Sequence, residues 1–256
     1  QRILFLIFFA VFVFSAAVIA RYAANSYAQK RSYRHLAELA EQSAENEAAQ
    51  PVQPSAENAP TQEPTMLAQY EALYRENNDL VGWIKIDGTN INYPVVQSKD
   101  APNFYLKHDF EKKYTNYGCP YAQQTCDVQA PSDNVVLYSH NMIDGTMFSD
   151  LTNYKSESFW AQHPTIQFDT LTEQNEYTVI AAFKGEASEL FAYNAFVDAE
   201  TPEEFDAYVS AVKELALYDT GISAAYGDKL ITLSTCEYSY ENGRMVVVAK
   251  RTSAAE

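Results

Sequence analysis

Leu230-Ile231-Thr232-Leu233-Ser234-Thr235-Cys236 is followed, across the pair Asn242-Gly243, by Arg244-Met245-Val246-Val247-Val248. The first run reads as a strand that ends in polar residues, the second as a strand that begins on a cation. β-Branched runs bounded by turn residues are the mark of strands, and Asn-Gly is a strong tight-turn signal. A hairpin here would return Arg244 to the side of Cys236. Five other runs have the same short, β-branched character: Trp83–Ile86, Ile91–Val96, Asn134–Tyr138, Thr165–Phe168 and Tyr177–Ile180. Asp87-Gly88 marks a further turn. Many short strands with few helices point to a mainly β fold, a closed or nearly closed β-barrel with helical additions.

Two helices are expected within this domain. Leu67, Tyr70, Leu73 and Tyr74 recur at helical spacing and open it. Thr201-Pro202-Glu203-Glu204 has the form of a capping box with Pro at the first helical position, and Phe205, Tyr208, Val209, Val212 and Leu215 then make one apolar face.

Upstream the character changes twice. Ile3 to Ala20 is an uncharged run of 18 residues in which Ser15 alone is polar, bracketed by Arg2 and Arg21. A span of the hydrocarbon core takes about 20 such residues, whereas a cleaved signal peptide has a shorter apolar region. Ala16, Ala17 and Ala20 offer a small-residue cleavage site, but the length of the run favours an uncleaved membrane anchor over residues 1–21. Lys and Arg are more numerous after the span than before it, so the charge rule does not set its orientation. Residues 22–42 read as a polar, Ala-rich helix. Residues 43–64 hold four prolines, four glutamates and no aromatic residue, and read as an extended linker. Residues 65–256 form the folded domain.

The net charge of -16 is unevenly spread. Residues 1–42 hold five of the 18 basic and two of the 34 acidic residues, which leaves 13 basic against 32 acidic in the remainder. A polyanionic domain of this kind excludes nucleic-acid binding, which needs Lys and Arg to displace phosphate counterions.

Three residues could carry chemistry together. Cys236, at a strand end among Ser234, Thr235 and Glu237, is poorly placed for a core cysteine, which usually has apolar neighbours. A thiol attacks a carbonyl as thiolate and needs a base or cation nearby. His140 follows the strand Asn134–Tyr138 in a polar cluster, where loops tend to carry function. His163 and His108 read as surface residues. Arg244 could donate hydrogen bonds to an oxygen that gains charge during attack. Each residue alone has a plainer explanation: a buried thiol, a structural histidine, an arginine paired to surface acids. Cys119 and Cys126 lie close enough in sequence to form a disulfide in an oxidising compartment, or to be two buried thiols. No set of metal ligands is read from the sequence.

The combination resembles a known family. Thr232-Leu233-Ser234-Thr235-Cys236 with Asn242-Gly243-Arg244 is similar to the TLxTC…R signature of sortases, and Asn134 to Met142 to their histidine segment. Asp79–Ile84, Asn92–Gln97, Asp144–Phe148 and Ser234–Tyr238 resemble class B sortases, and the likeness extends over about residues 66–251. Ser139 departs from it, standing where the family commonly has Gly, and the Cys119–Cys126 segment is unusual. The resemblance implies an eight-stranded sortase-type barrel with N-terminal helices and a long helix before the last strands. It implies a membrane-anchored, extracellular cysteine transpeptidase without cofactor or metal. Cys236 would be the nucleophile, His140 the proton-transfer partner and Arg244 the oxyanion clamp. Asn92, Val96, Ser234 and Glu237 would line the groove for a C-terminal sorting motif of an exported protein, and a peptidoglycan or pilin amine would accept the acyl group. Two rivals remain at this point: a hydrolytic cysteine peptidase, and a non-catalytic surface protein that binds through the barrel.

Overall fold

A computed structural model describes residues 2–48 and 65–252. Eight strands form a barrel: β1 (Leu80–Lys85), β2 (Asn92–Val96), β3 (Tyr121–Ala122), β4 (Asn134–Tyr138), β5 (Thr165–Thr170), β6 (Glu176–Glu186), β7 (Leu230–Glu237) and β8 (Gly243–Arg251). Their order around the closed barrel is β1-β2-β3-β4-β7-β8-β6-β5. Pairing is antiparallel except at β2–β3 and β4–β7. Closure removes the exposed edges that an open sheet of this size would present. At the β1–β5 seam Gly82 has no room for a side chain, since a Cβ would lie 2.2 Å from the Asp169 carbonyl oxygen.

β3 has only two residues, too few to show any alternation, and the sequence reading missed it. β7 and β8 are buried on both faces. Ile231, Leu233, Met245, Val247 and Ala249 fill the barrel. Leu230, Val246 and Val248 face outward under α4 (Pro202–Leu215, the fourth α-helix among the described residues), which lays Phe205, Tyr208, Val209 and Val212 on them. This is why both strands read as near-continuous apolar runs. Thr201 Oγ1 accepts from Glu204 N at 3.3 Å, as its box predicts. The Glu204 carboxylate accepts from Glu200 N, one residue before the reciprocal partner. The other helices are α1 (Arg2–Ala48), α2 (Ala68–Glu76) and α3 (Glu157–Gln162).

α1 is one helix of 47 residues, roughly 70 Å long at 1.5 Å per residue. Its first part is apolar all round and exposed, with a mean hydropathy of 3.0 over 18 residues, long and apolar enough to cross a membrane. Its second part is not a free spacer. Tyr33, Leu36, Ala37 and Ala40 are buried against the barrel and α2. The helix also runs past residue 42, to Ala48; the rest of the expected linker, 49–64, lies outside the described residues.

The disulfide considered for Cys119 and Cys126 is not formed, and both are free and buried. β3 runs between them and delivers the two side chains to different neighbours. Cys119 Sγ lies 3.7 Å from the Pro94 carbonyl, while Cys126 Sγ meets Asn134 O at 3.5 Å and Val136 N at 3.4 Å. Burial pushes both thiols up, so neither is poised as a thiolate. Iodoacetamide should therefore label Cys236 alone in the folded chain, and all three cysteines after unfolding without reductant. Mass spectrometry that found only one alkylated cysteine in the unfolded, unreduced chain would contradict these two free thiols.

Candidate active site

The site is built on the outer face of β4, β7 and β8. Side chains alternate along a strand. Ile231, Leu233 and Thr235 point inward, so Thr232, Ser234 and Cys236 point out. The outward positions bear this out: Thr232 Oγ1 donates to Asn134 Oδ1 at 2.8 Å and Ser234 Oγ bonds the Tyr193 hydroxyl at 2.9 Å. On β8 the same alternation turns Arg244 outward. Cys236 and Arg244 are direct partners in the β7–β8 register. The turn between them is made by Asn242, whose φ of 53° is a left-handed conformation that Asn tolerates well, and by Gly243. Gly243 is also required by space, since a Cβ there would lie 2.2 Å from Glu237 O. Arg244 Nη1 donates to the carbonyls of Asn242 and Gly243 at 3.2 and 2.9 Å. Its own turn thus holds the guanidinium.

The histidine arrives from β4. Parallel pairing sets Tyr138 beside Ser234. Beyond that point the two chains stay stitched. Ser139 N donates to Ser234 O, Thr235 Oγ1 donates to Ser139 O at 2.8 Å, and Asn141 Nδ2 donates to Cys236 O at 3.0 Å. His140 is therefore carried beside the end of β7 by hydrogen bonds from the residues on both sides of it. Its imidazole Nε2 lies 2.7 Å from the Leu106 carbonyl. A carbonyl only accepts, so Nε2 carries the hydrogen and the neutral ring leaves Nδ1 with an open lone pair. Burial pushes the His140 pKa below its ordinary value; the Leu106 bond opposes this and the nearby Lys107 charge adds to it. Burial thus favours the neutral imidazole.

Cys236, His140 and Arg244 all line one cleft of about 840 Å³. Its walls are the segments around residues 101–106 and 187–195, and Tyr121, Tyr138 and Tyr193 furnish its aromatic surface. Leu106 is more than a wall residue, because its carbonyl orients the histidine. Leu106 was missed in the sequence because a backbone oxygen leaves no side-chain signal. Asn103 was missed for a similar reason: it sits in a short irregular segment with φ 63° and accepts from the Tyr121 hydroxyl at 3.0 Å. Its left-handed conformation is visible only in the fold.

The four residues expected in the groove divide one against three. Ser234 lines the cleft. Asn92 does not: it sits at the far end of β2, accepts from Trp83 Nε1 at 2.6 Å and borders a second cavity beside α1. Val96 is fully buried in the barrel wall. Glu237 is next to the nucleophile in sequence, but strand alternation turns it away from Cys236, and its carboxylate is taken by Ser239 N and Oγ.

The comparisons with known proteins agree with this fold. The sortase domain family model matches residues 84–252. Sortase B of Listeria monocytogenes is 35% identical over 182 residues, 70% of this chain and 72% of that protein. Sortase B of Staphylococcus aureus is 33% identical over 184 residues, 71% of this chain and 74% of that protein. A solved Staphylococcus aureus sortase B–substrate complex superposes with a TM-score of 0.78 at 27% identity, over 91% of this chain and 100% of that one. A barrel with a thiol and a guanidinium in register and a histidine stitched alongside, matched over most of its length, makes this chain a member of the sortase family, a cysteine transpeptidase of the sortase B type.

Proposed function

We propose that Cys236, His140 and Arg244 carry the transpeptidation, and that the acyl donor is the C-terminal sorting motif of an exported protein. One observation carries the assignment: the direct β7–β8 pairing of Cys236 with Arg244 in the cleft that His140 also lines. The Cys236 thiol loses its proton to His140 Nδ1, and the sulfur attacks a peptide carbonyl. The carbonyl oxygen gains negative charge, which the Arg244 guanidinium stabilises. The C–N bond then breaks, and the departing amine takes the proton from the imidazolium. What remains is a thioester on Cys236 and a neutral histidine. An incoming amine attacks the thioester, His140 accepts its proton, and the sulfur leaves and is reprotonated. An amide is exchanged for a thioester and then a thioester for an amide, so the cycle requires no energy source.

The amine acceptor is a peptidoglycan precursor or a lysine of a pilin subunit. The cleft's size suits an extended peptide of several residues, and the related Staphylococcus aureus protein has been solved as a substrate complex. The apolar part of α1 is the single membrane anchor, with the catalytic domain on the extracellular face where exported substrates emerge. Beyond the span, α1 packs against the domain of residues 65–256 that it anchors.

Acyl trapping tests the reading directly. Incubation with a library of sorting peptides should add an acyl mass to the peptide bearing Cys236, and product analysis with saturating amine should show transfer. Hydrolysis alone under those conditions would make the chain a peptidase instead. Cys236→Ala should abolish product. Loss of the proton-transfer group in His140→Ala should slow turnover by about a hundred- to ten-thousandfold. Arg244→Ala should slow it by about a hundred- to thousandfold. Full activity in any of these three variants would refute the role given to that residue. His140 should titrate below about 6.5, the ordinary histidine value, because burial disfavours its cation. A midpoint at or above that value by NMR would remove the neutral imidazole from the resting site.

A further inference from the structure

The bond between His140 and the Leu106 carbonyl joins two chain segments that share no strand. Each of them is held by the same third element, α1. Tyr33 of α1 donates its buried hydroxyl to Gly118 O at 2.6 Å. Gly118 lies directly behind the carbonyl that holds the histidine. Its φ is 64°, and a Cβ on it would come 2.5 Å from Tyr105 O and 2.9 Å from Leu106 O. Cys119 N, the next donor, bonds Tyr105 O at 2.9 Å. A contact from α1 thus reaches the Leu106 carbonyl through one residue.

The second contact reaches the histidine loop. Ser26 and Tyr117 donate to the Asp144 carboxylate, and Lys30 Nζ donates to Asp144 O at 3.0 Å. Thr146 completes the cage from within the loop. The Asp144 side chain is 10% exposed. Burial alone would raise its pKa, but these hydrogen bonds outweigh it and keep the group ionised. Asp144 sits at the tip of a loop closed by Asn141 pairing with Met147 and by Phe148 N donating to His140 O at 2.8 Å. Tyr117, which bonds Asp144, precedes Gly118, so the two arms also meet each other.

We propose that α1 is a positioning element of the active site. Tyr33 holding Gly118, and Ser26 with Lys30 holding Asp144, set the Leu106 carbonyl and the His140 loop against one another and so fix the imidazole as its Nε2–H tautomer. Tyr33 and Asp144 are positioning residues, since neither touches the reacting atoms. The helix that carries the apolar span is on this account also part of the catalytic framework. The inference rests on His140 being the proton-transfer group.

The test uses the full chain in lipid nanodiscs with ¹⁵N-labelled histidine, His140 being assigned by comparison with His140→Gln. Wild type should show a protonated Nε2 and a bare Nδ1 above its titration. Tyr33→Phe, Asp144→Asn and the pair Ser26→Ala/Lys30→Ala should each show a mixture of tautomers. Because the imidazole then assists the thiol less, alkylation of Cys236 by iodoacetamide at pH 7 should slow by roughly threefold or more. Arg75→Ala, which breaks an exposed pair on α2, should change neither readout. Tyr33→Phe removes a single oxygen and keeps the packing, so it reports even if a harsher variant fails to fold. An unchanged tautomer in all three variants overturns the proposal, as does a lowered Tm with tautomer and alkylation rate intact, which would make the contacts merely structural. Retained turnover in His140→Ala would instead defeat the catalytic reading while leaving the tautomer result standing.

Discussion

Register between β7 and β8 is the constraint on which the site depends. Because side chains alternate with a period of two, a slip of one residue would turn Cys236 into the barrel and bring a different residue opposite Arg244. The slip is opposed on both faces at once. Leu233 and Val247 must remain inside, while Leu230, Val246 and Val248 must remain under α4. The turn adds a local condition, since Asn242 accepts the left-handed φ and Gly243 alone fits against Glu237 O. The placement of Cys236 beside Arg244 is thereby secured by apolar packing inside the barrel and under α4.

The histidine is held differently. Its backbone is tied to β7 by Ser139, Thr235 and Asn141, but its ring is oriented by a carbonyl from a distant irregular segment. A carbonyl in this role fixes the tautomer without adding a negative charge beside the imidazole, as a carboxylate would. That suits the proton-transfer role proposed for this ring, since an anionic partner would raise its pKa and retain the proton. In its proposed positioning role, α1 completes the support through the buried Tyr33 hydroxyl on one side of that bond and the half-buried Ser26 and exposed Lys30 contacts to Asp144 on the other.

The sequence was most legible where one residue type has one strong local meaning. Asn-Gly marked the turn, short alternating or β-branched runs marked seven of the eight strands, and Thr201 with Glu204 marked the start of α4. Legibility failed where position depends on distant partners. The two-residue β3 exists only because β2 and β4 lie on either side of it. Asn92 and Val96 belong to a segment that looked like groove wall, yet one caps the far end of its strand and the other fills the core. Glu237 shows that adjacency in sequence is opposition in a strand. Cys119 and Cys126 are seven positions apart, but an extended strand between them sends the thiols to separate neighbours.

By itself, then, the amino-acid sequence determined the mainly β character of the domain and the apolar helix before it, and its likeness to the sortase signature pointed to Cys236, His140 and Arg244 as the residues proposed for acyl transfer. The elements follow from short-range physics, hydrophobic periodicity and turn preference, whereas the three residues were singled out by their match to a family pattern, since each alone has a plainer explanation. Only the tertiary structure decided which residues line the cleft, which nitrogen of His140 bears the proton, and that α1 lies against the barrel as more than a tether. Those depend on backbone carbonyls and on contacts between segments far apart in the chain, and a carbonyl is the same in every residue until the fold aims it.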